Sequence, residues 1–309
     1  MQENPVFRSS RTAWLLLAPS LIILTLFLYY PALQSFVISL YRSNLILGTR
    51  RFIGLENFSA LFTGPLAPMY RQVIVQSLLF SVAVVGLGLS VSLALAILAN
   101  QNVSGARVYR LLLIWPFALS PAVAGTIFSF LFNPEVGAVN QLLDATLGIK
   151  PRWLDTPVLA FGLVVLASIW KNIGYNIVFY LAALQNIPGS LTEAAEIDGA
   201  NAWQRFWTIT FPLLSPMTFF LVFTNLTYSF FETFGLIDIL TRGGPVGPEP
   251  LDNAGLTTTM IYRLYQDGFG GNGNLGFAAA QGVVLLMTVA AVTVLQFRYG
   301  SRNVQYGGN

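Results

Sequence analysis

Residues 190–212 read SLTEAAEIDGANAWQRFWTITFP, a polar, well-punctuated insert between two very apolar segments. Pro188 and Gly189 break the helix before it. Ser190 and Glu193 then have the S-x-x-E spacing of a capping box, in which two side chains satisfy free amides at a helix start. About two turns follow over residues 191–198, up to Gly199, the residue best suited to a left-handed helix end. A second short helix is expected over 202–212, which makes the insert a helix-turn-helix. On the first helix small Ala194 and Ala195 sit beside acidic Glu193 and Glu196, and small side chains permit close approach of another protein. Trp203, Phe206 and Trp207 on the second suit a membrane boundary, where Trp is favoured. On local physics alone, a capped amphipathic loop lying on lipid headgroups and a docking element are both open readings.

The chain around the insert sets the fold class. Of its 309 residues 55% are hydrophobic and only 9% charged, and the mean hydropathy is +0.65. Soluble domains carry about 25% charged residues, so this chain cannot cover a water-facing surface and belongs in a membrane. A crossing helix needs about 20 apolar residues, because it rises about 1.5 Å per residue through a core of about 30 Å. Six stretches meet that length, at 12–40, 74–99, 108–132, 158–184, 213–237 and 275–297. The expected fold is all-α, a polytopic membrane protein of six transmembrane helices. It divides into a segment 1–11, a transmembrane domain 12–297 that carries the insert, and a tail 298–309. Pro19 and Pro31 are expected to kink the first span or end it early. Arg8 and Arg11 ahead of an apolar run resemble a signal peptide, but no small-x-small site follows, so the run reads as a retained span. Gly86, Gly88 and Gly282 are expected to let spans pack closely.

Composition also removes chemistry. The chain has no Cys and no His, which excludes disulfides, thiolate or imidazole metal sites and histidine bases. No catalytic residue, metal or cofactor is expected. A net charge of +3 is ordinary for a membrane protein with Arg at its membrane boundaries and calls for no nucleic acid.

Lys and Arg favour cytoplasmic loops. With the N-terminus inside, the inner segments hold seven basic residues and the outer segments eight, with Lys171 inside a span. The inner segments are shorter, and most of their Arg residues sit at span ends, where the rule has most force. This places both termini and the insert on the cytoplasmic side.

The run Glu193-Ala194-Ala195, three residues, Gly199, nine residues, then Ile209 and Pro212 is similar to the EAA loop of permease subunits in bacterial ATP-binding-cassette importers. Phe211 departs from the Leu usual in that pattern and keeps an apolar contact. The resemblance implies that the insert is a coupling helix seated in a cytoplasmic ATPase subunit, with Glu193, Ala194, Ala195, Asp198 and Gly199 at the joint. The chain has no ATPase of its own: its only lysines, Lys150 and Lys171, lie in no phosphate-cradling loop. The implied partners are a second homologous permease subunit, two ATPase subunits and an extracytoplasmic substrate-binding protein, in a bacterial inner membrane. Ile53-Gly54-Leu55-Glu56-Asn57-Phe58, Phe132-Asn133-Pro134 with Gly137 and Asn140, and Gly243-Gly244-Pro245 look like the carbohydrate-uptake branch of these permeases. Within it, residues 111–134, 168–188 and 230–245 look most like the first permease subunits of sn-glycerol-3-phosphate importers, with neutral di- and oligosaccharide permeases as the runner-up.

Two ionisable residues fall well inside predicted spans, Lys171 and Glu232. A charge near the bilayer centre costs about 2.5–3.5 kcal/mol on insertion scales, so such groups face a bundle interior or a watery path. Either they pair to hold two spans together, or they line a substrate path with Asn172, Tyr175, Asn176, Asn225 and Tyr228. Gly243-Gly244-Pro245 is either a plain turn or a contact for the binding protein. A self-powered secondary transporter needs ion-coupling groups in its spans and often repeat symmetry; one acid and no evident repeat argue against it.

Overall fold

The computed structural model describes residues 10–101, 105–271 and 273–300. The proposed segment 1–11 and tail 298–309 fall almost wholly outside the described residues. The chain forms two compact units, residues 1–64 with 264–284 and residues 65–263 with 285–309.

In the first unit α1 (Ser10–Leu24) continues through a π turn (Thr25–Tyr29) into α2 (Tyr30–Ser39). Pro31 lacks an N–H, and its ring crowds the carbonyl four residues back. The helix widens to absorb this, with the Tyr30 N–H donating to the Thr25 carbonyl five residues before it. The span therefore runs unbroken from Ala13 to Ser39 instead of ending early. An antiparallel hairpin follows at once, β1 (Tyr41–Asn44) against β2 (Thr49–Phe52), with Tyr41 opposite Phe52. The short helix α3 (Glu56–Phe62) supplies Asn57, whose Nδ2 donates to the carbonyls of Ser39 at 2.8 Å and Tyr41 at 3.0 Å. That buried amide fixes the exit of the chain from the span, which explains the Asn of the Ile53–Phe58 motif.

The second unit begins with α4 (Ala67–Ala99) and α5 (Ala106–Ile114), followed by a 3₁₀ turn (Trp115–Ala118). Next come α6 (Pro121–Leu131), α7 (Ala138–Leu147) and α8 (Pro157–Gln185). The insert holds α9 (Gly189–Ile197), α10 (Ala202–Arg205), a π turn (Phe206–Thr210) and α11 (Phe211–Leu213). The unit then runs through α12 (Ser215–Phe231) and α13 (Phe234–Leu240). Finally α14 (Met260–Phe269) and α15 (Leu275–Gly300) contribute to both units.

Among the described residues four helical stretches are long and apolar enough to cross a membrane, and two bent pairs bring the number to six if each pair counts as one span. The expected span 108–132 is bent by 106° between Ala118 and Pro121. Pro116 and Pro121 each lack an N–H, and extended Ser120 restarts the helix by accepting from the Val123 N–H at 3.3 Å. The span expected at 213–237 is shorter: a 66° bend falls at Leu214, between Pro212 and Pro216, and α12 stops at Phe231 before Glu232. Hydropathy sees neither break, because the residues at both remain apolar.

Two apolar clusters hold the second unit together. One joins Phe80 and Val84 of α4, Leu163 and Val164 of α8 and Leu236 and Ile237 of α13. The other joins Leu89 and Leu93, Ile177 and Leu181, and Leu214 and Leu221. Gly174 of α8 lets that helix close on the end of α5, since a Cβ there would stand 2.5 Å from the Ile114 carbonyl oxygen. Gly88 meets Ile169 and Gly282 meets Leu264, as expected of packing glycines, whereas a Cβ at Gly86 would meet nothing within 4 Å among the described residues.

Loop motifs serve as internal locks. Asn133 Oδ1 accepts from the N–H groups of Glu135 and Val136, and Asn140, 2% exposed, donates to the carbonyls of Pro134 and Pro151 while accepting from Trp153 Nε1 at 2.6 Å. The loop 241–259, which holds Gly243-Gly244-Pro245, is stapled to α4. Gln72 Nε2 donates to the Leu251 and Ala254 carbonyls, and Gln76 Nε2 donates to that of Gly255 at 2.8 Å.

Candidate functional site

The insert is a two-helix unit tied across its turn, although the capping box expected at Ser190 and Glu193 does not form. Helix α9 starts one residue too early for it, at Gly189 after extended Pro188, and no side chain caps that end. The box forms on the second helix instead, where Asn201 Oδ1 accepts from the Gln204 N–H and Gln204 Oε1 accepts from the Asn201 N–H, both at 2.9 Å. The other end of α9 is built as the glycine implied. Gly199 has φ +81°, its N–H donates to the Glu196 carbonyl, and the Ala200 N–H donates to the Ala195 carbonyl at 2.9 Å. This is a Schellman closure, which satisfies carbonyls that a helix end otherwise leaves open.

Across that turn Arg205 Nη1 reaches Glu196 Oε1 at 2.8 Å and the Ala200 carbonyl at 3.3 Å. Glu193, Ala194, Asp198 and Gly199 are exposed, and Ala195 is turned half inward. Ile197 is 87% exposed, an apolar knob beside the acids. The rings of Trp203, Phe206, Trp207 and Phe211 pack in sequence in tilted and edge-on contacts, with 5.0 Å between the Trp207 and Phe211 centroids, and Trp203 remains 69% exposed. That aromatic face suits headgroup depth.

The second candidate site is a cavity of about 280 Å³ lined by Phe117, Asn172, Tyr175, Phe223, Thr224, Thr227, Tyr228 and Glu232. It exists because α5 and α6 do not form one straight helix: the 3₁₀ turn between them carries Phe117 to the cavity wall, where its ring lies 5.3 Å from that of Tyr175. Of the polar residues singled out from the sequence, Asn172, Tyr175, Tyr228 and Glu232 line the wall.

Asn176 and Asn225 do not. They exchange side-chain amide hydrogen bonds at 3.1 and 2.7 Å, and Asn172 Nδ2 also donates to Asn225 Oδ1 at 2.7 Å. Asn172 and Asn176 stand four apart on α8, hence on one face, and together they grip the single Asn225 of α12. Interhelical hydrogen bonds of this kind are worth about 0.6–2 kcal/mol in a membrane.

Lys171 is buried at 5% exposure and forms no ion pair with Glu232 among the described residues. Its Nζ lies 5.1 Å from the Phe117 ring centroid and 5.4 Å from that of Tyr228, so two aromatic faces meet its charge. Both rings stand on the cavity wall, which leaves Lys171 behind the wall and Glu232 on it. Phe117, Phe223, Thr224 and Thr227 were not singled out from the sequence, because their place on the wall depends on bends that hydropathy does not register.

The chain and its fold have known counterparts. Residues 86–305 match the family described as binding-protein-dependent transport system inner membrane component. The chain is 42% identical over 304 residues to the sn-glycerol-3-phosphate transport system permease protein UgpA of Pectobacterium atrosepticum, covering 98% of this chain and 99% of that one. It is 41% identical over 305 residues to the protein of the same name from Agrobacterium fabrum, covering 99% and 100%. Among solved structures it is similar to a chain of a bacterial alginate ABC transporter crystallised with an alginate pentasaccharide-bound periplasmic protein. The TM-score is 0.79 at 22% identity, over 96% of this chain and 98% of that one, a likeness of fold. The chain belongs to the family of binding-protein-dependent transport system inner membrane components.

Proposed function

We propose that this chain is the permease subunit of an ATP-binding-cassette importer and forms half of the translocation path for sn-glycerol 3-phosphate or a glycerophosphodiester. The observation that carries the substrate is the 42% identity, over nearly the full length, to a permease of that transport system. In this reading the other half of the path is a second, homologous permease, two cytoplasmic ATPase subunits supply the energy, and an extracytoplasmic binding protein delivers the substrate. Both termini are cytoplasmic. The insert is the mechanical joint: Glu193, Ala194, Ala195, Asp198 and Gly199 dock the ATPase, and exposed Ile197 is the apolar knob among them. A short, doubly closed helix pair supports that role, because only a rigid element passes on a displacement. Asn172, Tyr175, Tyr228 and Glu232 line the path, while Lys171, Asn176 and Asn225 hold its wall.

A second reading keeps the importer and changes the cargo to a neutral di- or oligosaccharide. The cavity wall favours it, since among the described residues it carries Glu232 and no cation. Aromatic faces with neutral hydroxyl and amide groups suit a sugar.

The deciding experiment is ATP-dependent uptake into proteoliposomes carrying the assembled importer and its binding protein. Glycerol 3-phosphate, a glycerophosphodiester and a neutral disaccharide are compared. Uptake of the phosphorylated compounds alone is expected; uptake of the disaccharide alone rejects the glycerol-phosphate assignment and retains the importer.

A further inference from the structure

The first unit contains an apolar groove of about 230 Å³ that the transport reading does not use. Ser35, Ile38, Leu264, Phe269, Ala278 and Ala279 are among its lining residues. Three residues beyond Ile38 the chain enters β1, and the carbonyl of Tyr41 packs on α15 so closely that any side chain at Gly276 would collide with it. The hairpin thus abuts the end of the groove where Leu275 stands.

On that hairpin Arg50 holds its guanidinium 4.2 Å from the centre of the Tyr41 ring. Arg42 is paired with Glu56, but Arg50 and Arg51 are exposed and have no carboxylate partner among the described residues. The hairpin leaves directly from the end of the span Ala13–Ser39, and its turn presents Leu45, Ile46 and Leu47, each more than half exposed. A span end, an aromatic residue, free arginines and an apolar tip together form the pattern of a membrane interface.

We propose that this groove and hairpin form a binding site for one anionic phospholipid at the interface farther from the N-terminus. An acyl chain lies along the groove, and the headgroup phosphate is met by Arg50 and Arg51. An apolar trough that ends beside two unpaired cations is complementary to a lipid of that charge. A peptide brings backbone polar groups that such a trough leaves unpaired, and a free phosphate ion has nothing to place in it. Guanidinium forks also match phosphate oxygens in pairs.

The assembled importer, purified in detergent and supplied with equal palmitoyl-oleoyl phosphatidylglycerol and phosphatidylcholine, is to be examined by native mass spectrometry for retained lipid. Wild type is expected to retain phosphatidylglycerol preferentially. The double variant R50A/R51A should lose that preference, by about fivefold per arginine. Ala279→Leu, which fills the trough, should lose retention of both lipids. Should Ala279→Leu fail to assemble, the surface variant R50A/R51A decides alone. An unchanged lipid ratio in R50A/R51A overturns the site, and so does equal retention of the two lipids by wild type. Absence of any retained lipid from the wild-type complex also overturns it and gives the groove to a protein neighbour.

Discussion

Arg205 of α10 reaches back across the Gly199 turn to Glu196 of α9, Nη1 to Oε1 at 2.8 Å. The arginine side chain is 24% exposed and the glutamate 54%. A pair this open to water contributes about 0–1 kcal/mol to stability. Its consequence is geometric: with the Schellman closure on one side and the Asn201–Gln204 box on the other, the two helices of the insert move as one body.

Arg205→Ala is therefore expected to leave the thermal unfolding of the assembled complex unchanged and to lower the amount of substrate moved per ATP hydrolysed. The charge-swapped double variant E196R/R205E should recover most of the loss. Uptake and ATP hydrolysis measured together in proteoliposomes check both points; full coupling in Arg205→Ala would show that the pair does not stiffen the joint.

Gly199→Val tests the same joint through the backbone. At φ +81° a β-branched side chain is strained by about 1–2 kcal/mol, enough to open the turn without unfolding spans held by the two apolar clusters. Binding-protein-stimulated ATPase activity is expected to fall severalfold. Ile197→Asp leaves the turn intact and removes the exposed apolar knob, so co-purification of the ATPase is expected to weaken in that variant and less in Gly199→Val.

Asn225→Ala removes the acceptor of Asn172 and one partner of Asn176 at once. Leaving a buried polar group unpaired costs about 1–3 kcal/mol, so the unfolding temperature of the complex should drop measurably. Tyr228→Phe is the contrasting case. The Tyr228 hydroxyl is buried with no hydrogen-bond partner among the described residues, and its loss should leave stability unchanged. If transport falls in that variant while stability holds, the hydroxyl contacts the passing substrate.

The six apolar stretches were legible in the sequence because a span is a matter of length and hydropathy, and among the described residues four of them stand as unbroken helices. The breaks at Ser120 and Leu214 were not. Proline inside an apolar run is compatible with a kink, a π turn or a full bend, and neighbouring packing decides among them: Pro31 widens a helix, whereas Pro116 and Pro121 frame a 106° turn. The insert was legible at its glycine, where only one backbone conformation closes the helix. It was misread at Ser190, where the motif S-x-x-E occurs one residue inside a helix that begins at Gly189. In the spans, residue type alone marked Asn172, Asn176 and Asn225 as equivalent, and only the facing of α8 and α12 separates wall from lock. Gln72 and Gln76, polar and four apart in an apolar helix, carried a signal of the same kind that the sequence reading passed over.

The separation of Lys171 from Glu232 predicts different effects for the two. Lys171→Ala removes a buried ammonium from between the rings of Phe117 and Tyr228, so the cavity wall loses the group those rings face. Transport is expected to fall for every substrate while the complex still assembles; undiminished uptake would dismiss any role in the path. Glu232 stands on the wall itself, where at about 5 Å and an effective dielectric of about 20 it opposes an anion by roughly 3 kcal/mol. Glu232→Gln should therefore lower the KM for glycerol 3-phosphate and leave that for a neutral sugar unchanged. Equal effects on the two substrates would mean that the acid does not meet the cargo, and that discrimination rests with the binding protein.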